Sequence, residues 1–344
     1  MVRICEKKFW QIGVILEIEK LLKRFSSTVD NEIMNYIPQN SKQTLYDAER
    51  YVFSTGGKRL RSTLCLLTCE TLGGDVKKAI PFGAAIEVIH NASLVHDDLE
   101  DGDKIRRNSP TVWVKYGIPQ GINVGDGLIS KAYECLLSSK NWLPDEQVLK
   151  LCEMFTNALI LTVEGQDMEF DLKNRNEVTI EEYTEMAQKK AGMLIGLSLS
   201  SGAFIAGRQD LQSNLMEYGK KIGTVFQIKD DILNLFGKVE YGKEIGSDIK
   251  EGKKTIMIID CLNKCELNEK EKSLRILKKD RTKVTKNEIK FVVGLIKKYK
   301  SKDTALNYAK KMNNEARAIL KKIDNKILKN VLSKLSDFML ERRY

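Results

Sequence analysis

Asp97 and Asp101 stand four residues apart in the run His96-Asp97-Asp98-Leu99-Glu100-Asp101. On a helix that spacing puts two carboxylates on one face, one turn apart. The lead-in is apolar, with Ala84, Ala85, Ile86, Val88, Ile89, Leu94 and Val95. Four acids crowded at the end of such a helix repel one another unless a cation sits between them. Mg2+ suits the place, because it takes oxygen ligands and uses one or two carboxylates while water and phosphate fill the other positions. A second run, Phe226-Gln227-Ile228-Lys229-Asp230-Asp231-Ile232-Leu233-Asn234, repeats the pattern of an apolar helix carrying an Asp pair. Either run alone also reads as a solvated acidic helix end. Two in one chain, each followed by a loop with Gly and Lys or Arg, point to facing helices in a bundle that hold several Mg2+ ions.

Basic residues lie in pieces around these acids. Gly56-Gly57-Lys58-Arg59-Leu60-Arg61 sets two glycines before a helix start, where backbone N–H groups and cations meet a phosphate. Arg106-Arg107 follows the first acidic run, Lys189-Lys190 precedes Ala191-Gly192, and Lys243 and Lys253 sit in the loop after the second run. Each alone reads as a surface cation. Together they suggest a site for two polyanions, one bound through metal and one directly by cations.

The elements that must carry these groups are helical. Apolar residues recur at helical spacing over 12–25, 62–72, 80–99, 148–163, 180–206, 215–235 and most of 255–340. Segment 80–99 is small and apolar nearly all round, with Pro81 near its start, and reads as a central helix. There is no βαβ alternation and no repeat of fixed period. Glycine and proline cluster at 55–57, 72–74, 108–123 and 237–252, which read as loops. The five prolines fall far below the roughly seventeen of average usage, as long helices require.

The 344 residues, 42% apolar and 30% charged, exclude a collagen, a disordered chain and a disulfide scaffold. The net charge of +10 is uneven: from Lys250 onward there are 27 basic and 12 acidic residues, so the rest of the chain is slightly acidic. In that last stretch lysines alternate with apolar helical positions, as from Ile289 to Lys298, and read as a solvated face rather than a nucleic-acid surface. The seven cysteines, at 5, 65, 69, 135, 152, 261 and 265, form no CxxC pair. They read as small core residues in a reducing compartment. Charges interrupt the N-terminal stretch, and no run of eighteen apolar residues occurs, so the expected location is the cytoplasm.

In order and spacing, Gly-Gly-Lys-Arg-Leu-Arg at 56–61, Asp-Asp-x-x-Asp at 97–101 with Arg106-Arg107 beyond, Gly165-Gln166, Tyr183, Met186 and Lys190, Phe-Gln-x-x-Asp-Asp at 226–231, and Gly-Ser-Asp-Ile-x-Glu-Gly-Lys at 246–253 form one set. The chain resembles the all-trans isoprenyl diphosphate synthases, of the geranylgeranyl type, over residues ~55–255. The resemblance implies one all-α domain over 1–344, a large helical bundle with its cavity between two Asp-rich helices. The motifs would occupy about 45–255 and basic helices 256–344. It implies Mg2+-dependent head-to-tail condensation of isopentenyl diphosphate with an allylic diphosphate. Gly57, Lys58, Arg61, His90 and Arg107 would bind isopentenyl diphosphate. Asp97, Asp101 and Asp230 would ligate up to three Mg2+ ions on the allylic diphosphate, gripped further by Arg106, Lys190, Lys243 and Lys253. Gln227 would sit near the developing carbocation, and Asp98, Asp231 and Asp248 would orient ligands or water. His96 reads as a satisfied helix histidine.

Three positions depart from the family pattern: Ala191 where a threonine is usual, Asn234 in place of a third acid, and Asn108 where glycine usually follows the arginine pair. Loss of one hydrogen bond at Ala191 would cost about 0.5–1.5 kcal/mol, slowing the reaction without abolishing it. Asn234, one turn from Asp230, would still orient water.

In this family the product grows down a tunnel along the helix before the first acidic motif. Ala92 and Ser93, where bulky aromatics give fifteen-carbon products, are small and let the tail pass. On the next helix, expected to start near Asn123, Ile129 and Ser130 are modest and Tyr133 is the candidate floor. A product of twenty carbons or more is expected. The resemblance also implies a homodimer, no nucleic acid, and at most transient membrane contact through the product. A class I terpene cyclase would leave 56–61 and His90 without purpose. A non-catalytic subunit of a heteromeric synthase is the other alternative, set against the survival of both acidic motifs.

Overall fold

The computed structural model describes residue 20, residues 23–237 and residues 245–341. Among these the chain is all-α apart from one two-stranded hairpin. A helix over 23–34 (α1) is followed by α2 (Thr44–Ser54), α3 (Leu60–Thr71) and α4 (Val76–Glu100). After the hairpin β1 (Ile105–Arg106) and β2 (Ser109–Pro110) come α5 (Val112–Tyr116), α6 (Ile118–Leu137), α7 (Asp145–Asn174), α8 (Ile180–Ala187), α9 (Met193–Ile205) and α10 (Gln212–Phe236). The last part holds α11 (Ser247–Lys250), α12 (Ile256–Lys264), α13 (Leu267–Leu277), α14 (Lys286–Lys298), α15 (Ser301–Leu320) and α16 (Lys326–Glu341). The described residues group into two compact units. One comprises residues up to Ala158 with Leu194–Met216 and Leu320–Phe338; the other comprises Leu159–Met193, Glu217–Ile319 and the residues after Met339.

In the first unit α4 is the central helix the sequence predicts. Asp75 caps its start by accepting from the Lys77 N–H at 3.0 Å. Fourteen of its twenty-five residues are buried, among them Phe82, Ile86 and Ile89. Pro81 lies inside the helix rather than at its first turn. The backbone bond it forgoes would run to the carbonyl of Lys77, an exposed residue that water can reach. Phe82 meets Phe155 of α7 edge-on at 6.1 Å, and Tyr133 of α6 meets the same ring at 5.3 Å. Each such pair contributes about 0.5–1.5 kcal/mol beyond the area it buries.

The segment 108–123, expected as a loop, is largely structured. It forms β2, α5 and the first turns of α6, which begins at Ile118 and not near Asn123. Pro119 fits the first turn of a helix, where its missing N–H costs nothing. Gly125 is helical because α6 runs against α4: a Cβ there would lie 2.0 Å from His96 Nε2. Gly121, inside the stretch that read as loop, is likewise a close-packing residue: a Cβ there would lie 3.0 Å from Trp113 Cβ.

The second unit has its own core, in which Tyr183, Ile228, Ile249, Ile256, Ile259, Ile296 and Ala309 are buried together. Its helices start on sequence-legible caps, Thr179 with Glu182 and Thr285 with Glu288 each forming a reciprocal capping box. The basic C-terminal helices α13 to α16 are amphipathic, as their spacing predicts. The six described cysteines are free. Burial pushes the thiols of Cys65 and Cys69 up to about 12, so these two are inert core residues.

Candidate active site

In the first unit, α4 delivers its acids at its C-terminal end. The Asp103 N–H donates to Asp98 O at 2.8 Å and the Gly102 N–H to Leu99 O at 3.2 Å, which turns the chain sharply after Asp101. The Trp113 indole N–H spans the Asp98 and Asp103 carbonyls at 3.0 and 2.9 Å, and the Thr111 hydroxyl donates to Asp103 O at 2.8 Å. The hairpin then returns Arg106 to the acids it follows. Its guanidinium donates to Asp98 at 2.7 Å and to Asp97 at 3.3 Å. Burial opposes the Arg106 charge, but Asp98 and Asp97 outweigh it and hold the group above its ordinary value. The hairpin turn consists of Arg107 and Asn108, with φ of 52° and 59°. Two positive φ values in a two-residue loop make a type I′ turn, and asparagine tolerates that conformation. Asn108 therefore replaces a glycine at little conformational cost.

Arg107 donates to Gly56 O, and to Asn91 Oδ1 at 3.4 Å, joining the glycine pair to α4. Arg59, buried, is held by Asp30 at 2.6 Å and by the carbonyls of Gly56 and Phe53. Arg61 Nε is buried with no hydrogen-bond partner. Burial lowers the Arg61 and Arg107 guanidinium groups to about 10. His90 is held well below its usual range by burial, then by Arg61, Arg107, Arg106 and Arg59, and is neutral at pH 7. Four guanidinium groups around one neutral imidazole, with an unmatched buried nitrogen, form a cradle for an anion. Lys58 is exposed, with its ammonium 5.7 Å from the Phe338 ring. His96 stands apart, its Nε2 at 3.3 Å from Ile122 O on α6, as a satisfied helix histidine does.

In the second unit the acids of α10 are tied down from two sides. Asp231 is buried and accepts from the Tyr183 hydroxyl at 2.6 Å and from Gln227 Nε2 at 2.9 Å. Burial raises its carboxyl to about 7, against those two hydrogen bonds, which favour the charge. Asp230, its neighbour, is half-buried. Lys190 donates to Glu169 at 2.7 Å, and Lys253 pairs with Glu251 at 2.7 Å. The segment Gln188–Gly192, which carries Lys190, is a π-helical turn, an irregularity common at functional sites. Glu169, Tyr183, Met186, Gln227, Asp231 and Lys253 line a small cleft.

Asn234 differs from expectation. It does not face water: it is buried, donates to Ser247 Oγ at 2.7 Å and accepts from the Asp248 N–H at 3.2 Å. Both ends of its amide serve to hold the start of α11 on α10. Asp248 is thereby held by its backbone next to the acidic helix. Lys243 lies outside the described residues.

The sequence pattern of the polyprenyl synthetase family matches residues 42–295. The chain belongs to that family. It is 39% identical over 321 residues to a geranylgeranyl diphosphate synthase of Sulfolobus acidocaldarius, covering 92% of this chain and 96% of the relative. It superposes with a TM-score of 0.85 on the crystal structure of geranylgeranyl pyrophosphate synthetase from Pyrococcus horikoshii, at 34% identity, over 95% of this chain and 99% of the other. A polyprenyl synthase of Caulobacter crescentus, solved with calcium and isoprenyl diphosphate, gives the same TM-score at 25% identity, over 97% and 98%. The similarity runs into the basic C-terminal helices, well beyond the region where motifs are legible. As in the family, the fold is all-α and the chain is a prenyltransferase.

Of the sequence-predicted residues, the first unit brings Gly57, Arg61, His90, Arg106 and Arg107 together beside Asp97 and Asp98. The second brings Gln227, Asp231 and Lys253 to one cleft. Glu169 went unread, although an acid one turn beyond Gly165 faces Lys190. Trp113 and Thr111, which hold the turn after Asp101, carried no sequence signal.

The carboxylates fit a divalent cation by the chemistry of their donors. Asp97 keeps 17% of its side chain exposed beside the cations, and Asp101 is 5% exposed. Among the described residues no three His, Cys, Asp or Glu side chains enclose an ion by themselves. No described helix is long and apolar enough to cross a membrane.

Proposed function

We propose that the chain condenses isopentenyl diphosphate head-to-tail with an allylic diphosphate, giving an all-trans prenyl diphosphate of twenty carbons or more in a Mg2+-dependent reaction. The observation that carries this reading is the cationic cradle of the first unit, in a chain 39% identical to a geranylgeranyl diphosphate synthase. Gly57, Lys58, Arg61 and Arg107 bind the isopentenyl diphosphate, and neutral His90 donates to it without adding charge. Asp97, Asp101 and Asp230 hold up to three Mg2+ ions, which supply positive charge to the allylic diphosphate as it departs. Arg106, Lys190, Lys243 and Lys253 complete that grip. Gln227 lies against the allylic cation; Asp98, Asp231 and Asp248 orient their neighbours.

The departing diphosphate is the acceptor for the proton lost after the new carbon–carbon bond forms, so no strong side-chain base is required. Ala92, Ser93, Ile129 and Tyr133 bound the growing tail. The chain works as a single prenyltransferase domain and a homodimer, for which the exposed Ile118 and Ile122 of α6 offer apolar surface. Free cysteines support a reducing, cytoplasmic location.

Purified protein given labelled isopentenyl diphosphate with dimethylallyl, geranyl or farnesyl diphosphate, with and without Mg2+, tests the reading. Metal-dependent extension to twenty or more carbons is expected. No extension from any starter would overturn it in favour of a non-catalytic subunit.

A further inference from the structure

The second unit contains a three-residue relay that no motif explains by itself. Tyr183 is 1% exposed, and its ring packs in the unit's core. A phenol buried this deeply needs a partner for its hydroxyl. It finds Asp231 Oδ2 at 2.6 Å, across from α8 to α10. The other carboxylate oxygen takes Gln227 Nε2, one turn back on α10, at 2.9 Å. Both oxygens of Asp231 thus receive a donated hydrogen bond, an arrangement that favours its charged form, and a carboxylate only accepts. With Asp231 held by the phenol, Gln227 must present its NH2 to Oδ1 and turn its own oxygen, the negative end of the amide dipole, away from Asp231.

We propose that Tyr183 is a positioning residue: through Asp231 it sets which end of the Gln227 amide is offered to the cationic carbon of the allylic substrate. This rests on the reading above that Gln227 lies against that carbon. The start of α8 is built to keep the phenol still. Thr179 and Glu182 close a reciprocal capping box immediately before Tyr183, and Arg175 grips Glu182 at 2.7 Å. Seven residues beyond Tyr183 the same stretch carries Lys190. One anchored segment therefore orients the amide by a hydrogen bond and Lys190, the cation that grips the diphosphate, by its backbone. An oxygen aimed at a developing positive charge stabilises the transition state more than the ground state, so its loss falls on kcat.

The test is Tyr183→Phe, with Asp231→Asn as a second variant of unchanged shape, each combined with Gln227→Ala. A tenfold to hundredfold fall in kcat is expected, with KM for isopentenyl diphosphate and the melting temperature near wild type. The double variants should be no slower than Gln227→Ala alone, because residues acting as a unit are not additive. In the substrate-free protein, the Gln227 side-chain amide resonances should move in Tyr183→Phe. Unchanged kcat, additive losses, a fall in thermal stability with KM and kcat moving together, or an unmoved Gln227 resonance would each overturn the proposal. A wild-type protein that elongates nothing would sink the functional reading, while the resonance still tests the relay.

Discussion

Gly165 lies so close to Lys190 that a Cβ built on it would stand 2.3 Å from the Lys190 amide nitrogen. Its other near neighbours are the Lys189 carbonyl carbon and Cβ, both at 2.8 Å, so two of the three atoms are backbone and cannot swing aside. Gly165→Ala should push the π-helical turn away and carry Lys190 with it. We expect a stability loss of about 1–3 kcal/mol and a roughly tenfold rise in KM for the allylic diphosphate, with KM for isopentenyl diphosphate unchanged. Steady-state kinetics with each substrate varied in turn checks this. Equal changes in both constants would show that the approach does not set Lys190.

Asn234→Ala removes both partners of the α11 start, leaving the Asp248 N–H and the Ser247 hydroxyl buried without them. The expected loss is about 2–3 kcal/mol of stability, read by urea unfolding. The Mg2+ concentration for half-maximal activity should hold, since the Asn234 amide is spent on the start of α11. A strong rise in that concentration would return Asn234 to the metal shell. Asn234→Asp, still able to accept from Asp248 N–H, should lose less.

Glu49 of α2 is buried, with Oε2 unpaired and Gly127 of α6 so near that a Cβ there would lie 2.6 Å from Oε1. Burial raises its carboxyl to about 7, only partly offset by Lys131 and Arg50, with Glu134 adding to the rise. Its folded-state value exceeds the unfolded 4.5, so the folded chain binds the proton more tightly. The stabilisation from the neutral form is full below the unfolded value and is lost as pH rises through the folded one. Thermal unfolding of wild type should therefore show stability falling between pH 5 and 8, on the order of 1–3 kcal/mol at the upper end. Glu49→Gln should flatten that slope. Parallel curves for the two proteins would mean that Glu49 stays charged.

Ala92 is 1% exposed, so a phenylalanine there strains α4 itself. Ser93 is half-buried, its hydroxyl turned back onto His90 O at 2.8 Å. Ser93→Phe is the cleaner block and should shorten the main product by one five-carbon unit or more. Tyr133, bonded through its hydroxyl to Thr156 at 3.1 Å, is the expected floor, and Tyr133→Ala should lengthen the product. Chromatography of dephosphorylated products decides both. An unchanged product distribution in the two variants would remove these residues from the tunnel.

The all-helical class, the central α4, the amphipathic C-terminal helices and both acidic motifs were legible in the sequence, because each is written in local spacing. Helical periodicity, caps such as Thr285 with Glu288, and carboxylates four residues apart depend on the geometry of one helix alone. Tertiary structure decided what each side chain does with its neighbours. Gly121 and Pro119 read as loop and proved helical, since a glycine that breaks a chain and one that admits a neighbouring tryptophan look alike in sequence. Asn234 read as a residue that orients water and proved to be a strut, because its partners lie thirteen and fourteen residues further along the chain. Arg59 and Arg61, two residues apart, divide between an ion pair to the partly exposed Asp30 and an unmatched nitrogen in the anion cradle. The Tyr183–Asp231 bond spans forty-eight residues. Spacing fixes directions on one element, whereas only packing brings elements together.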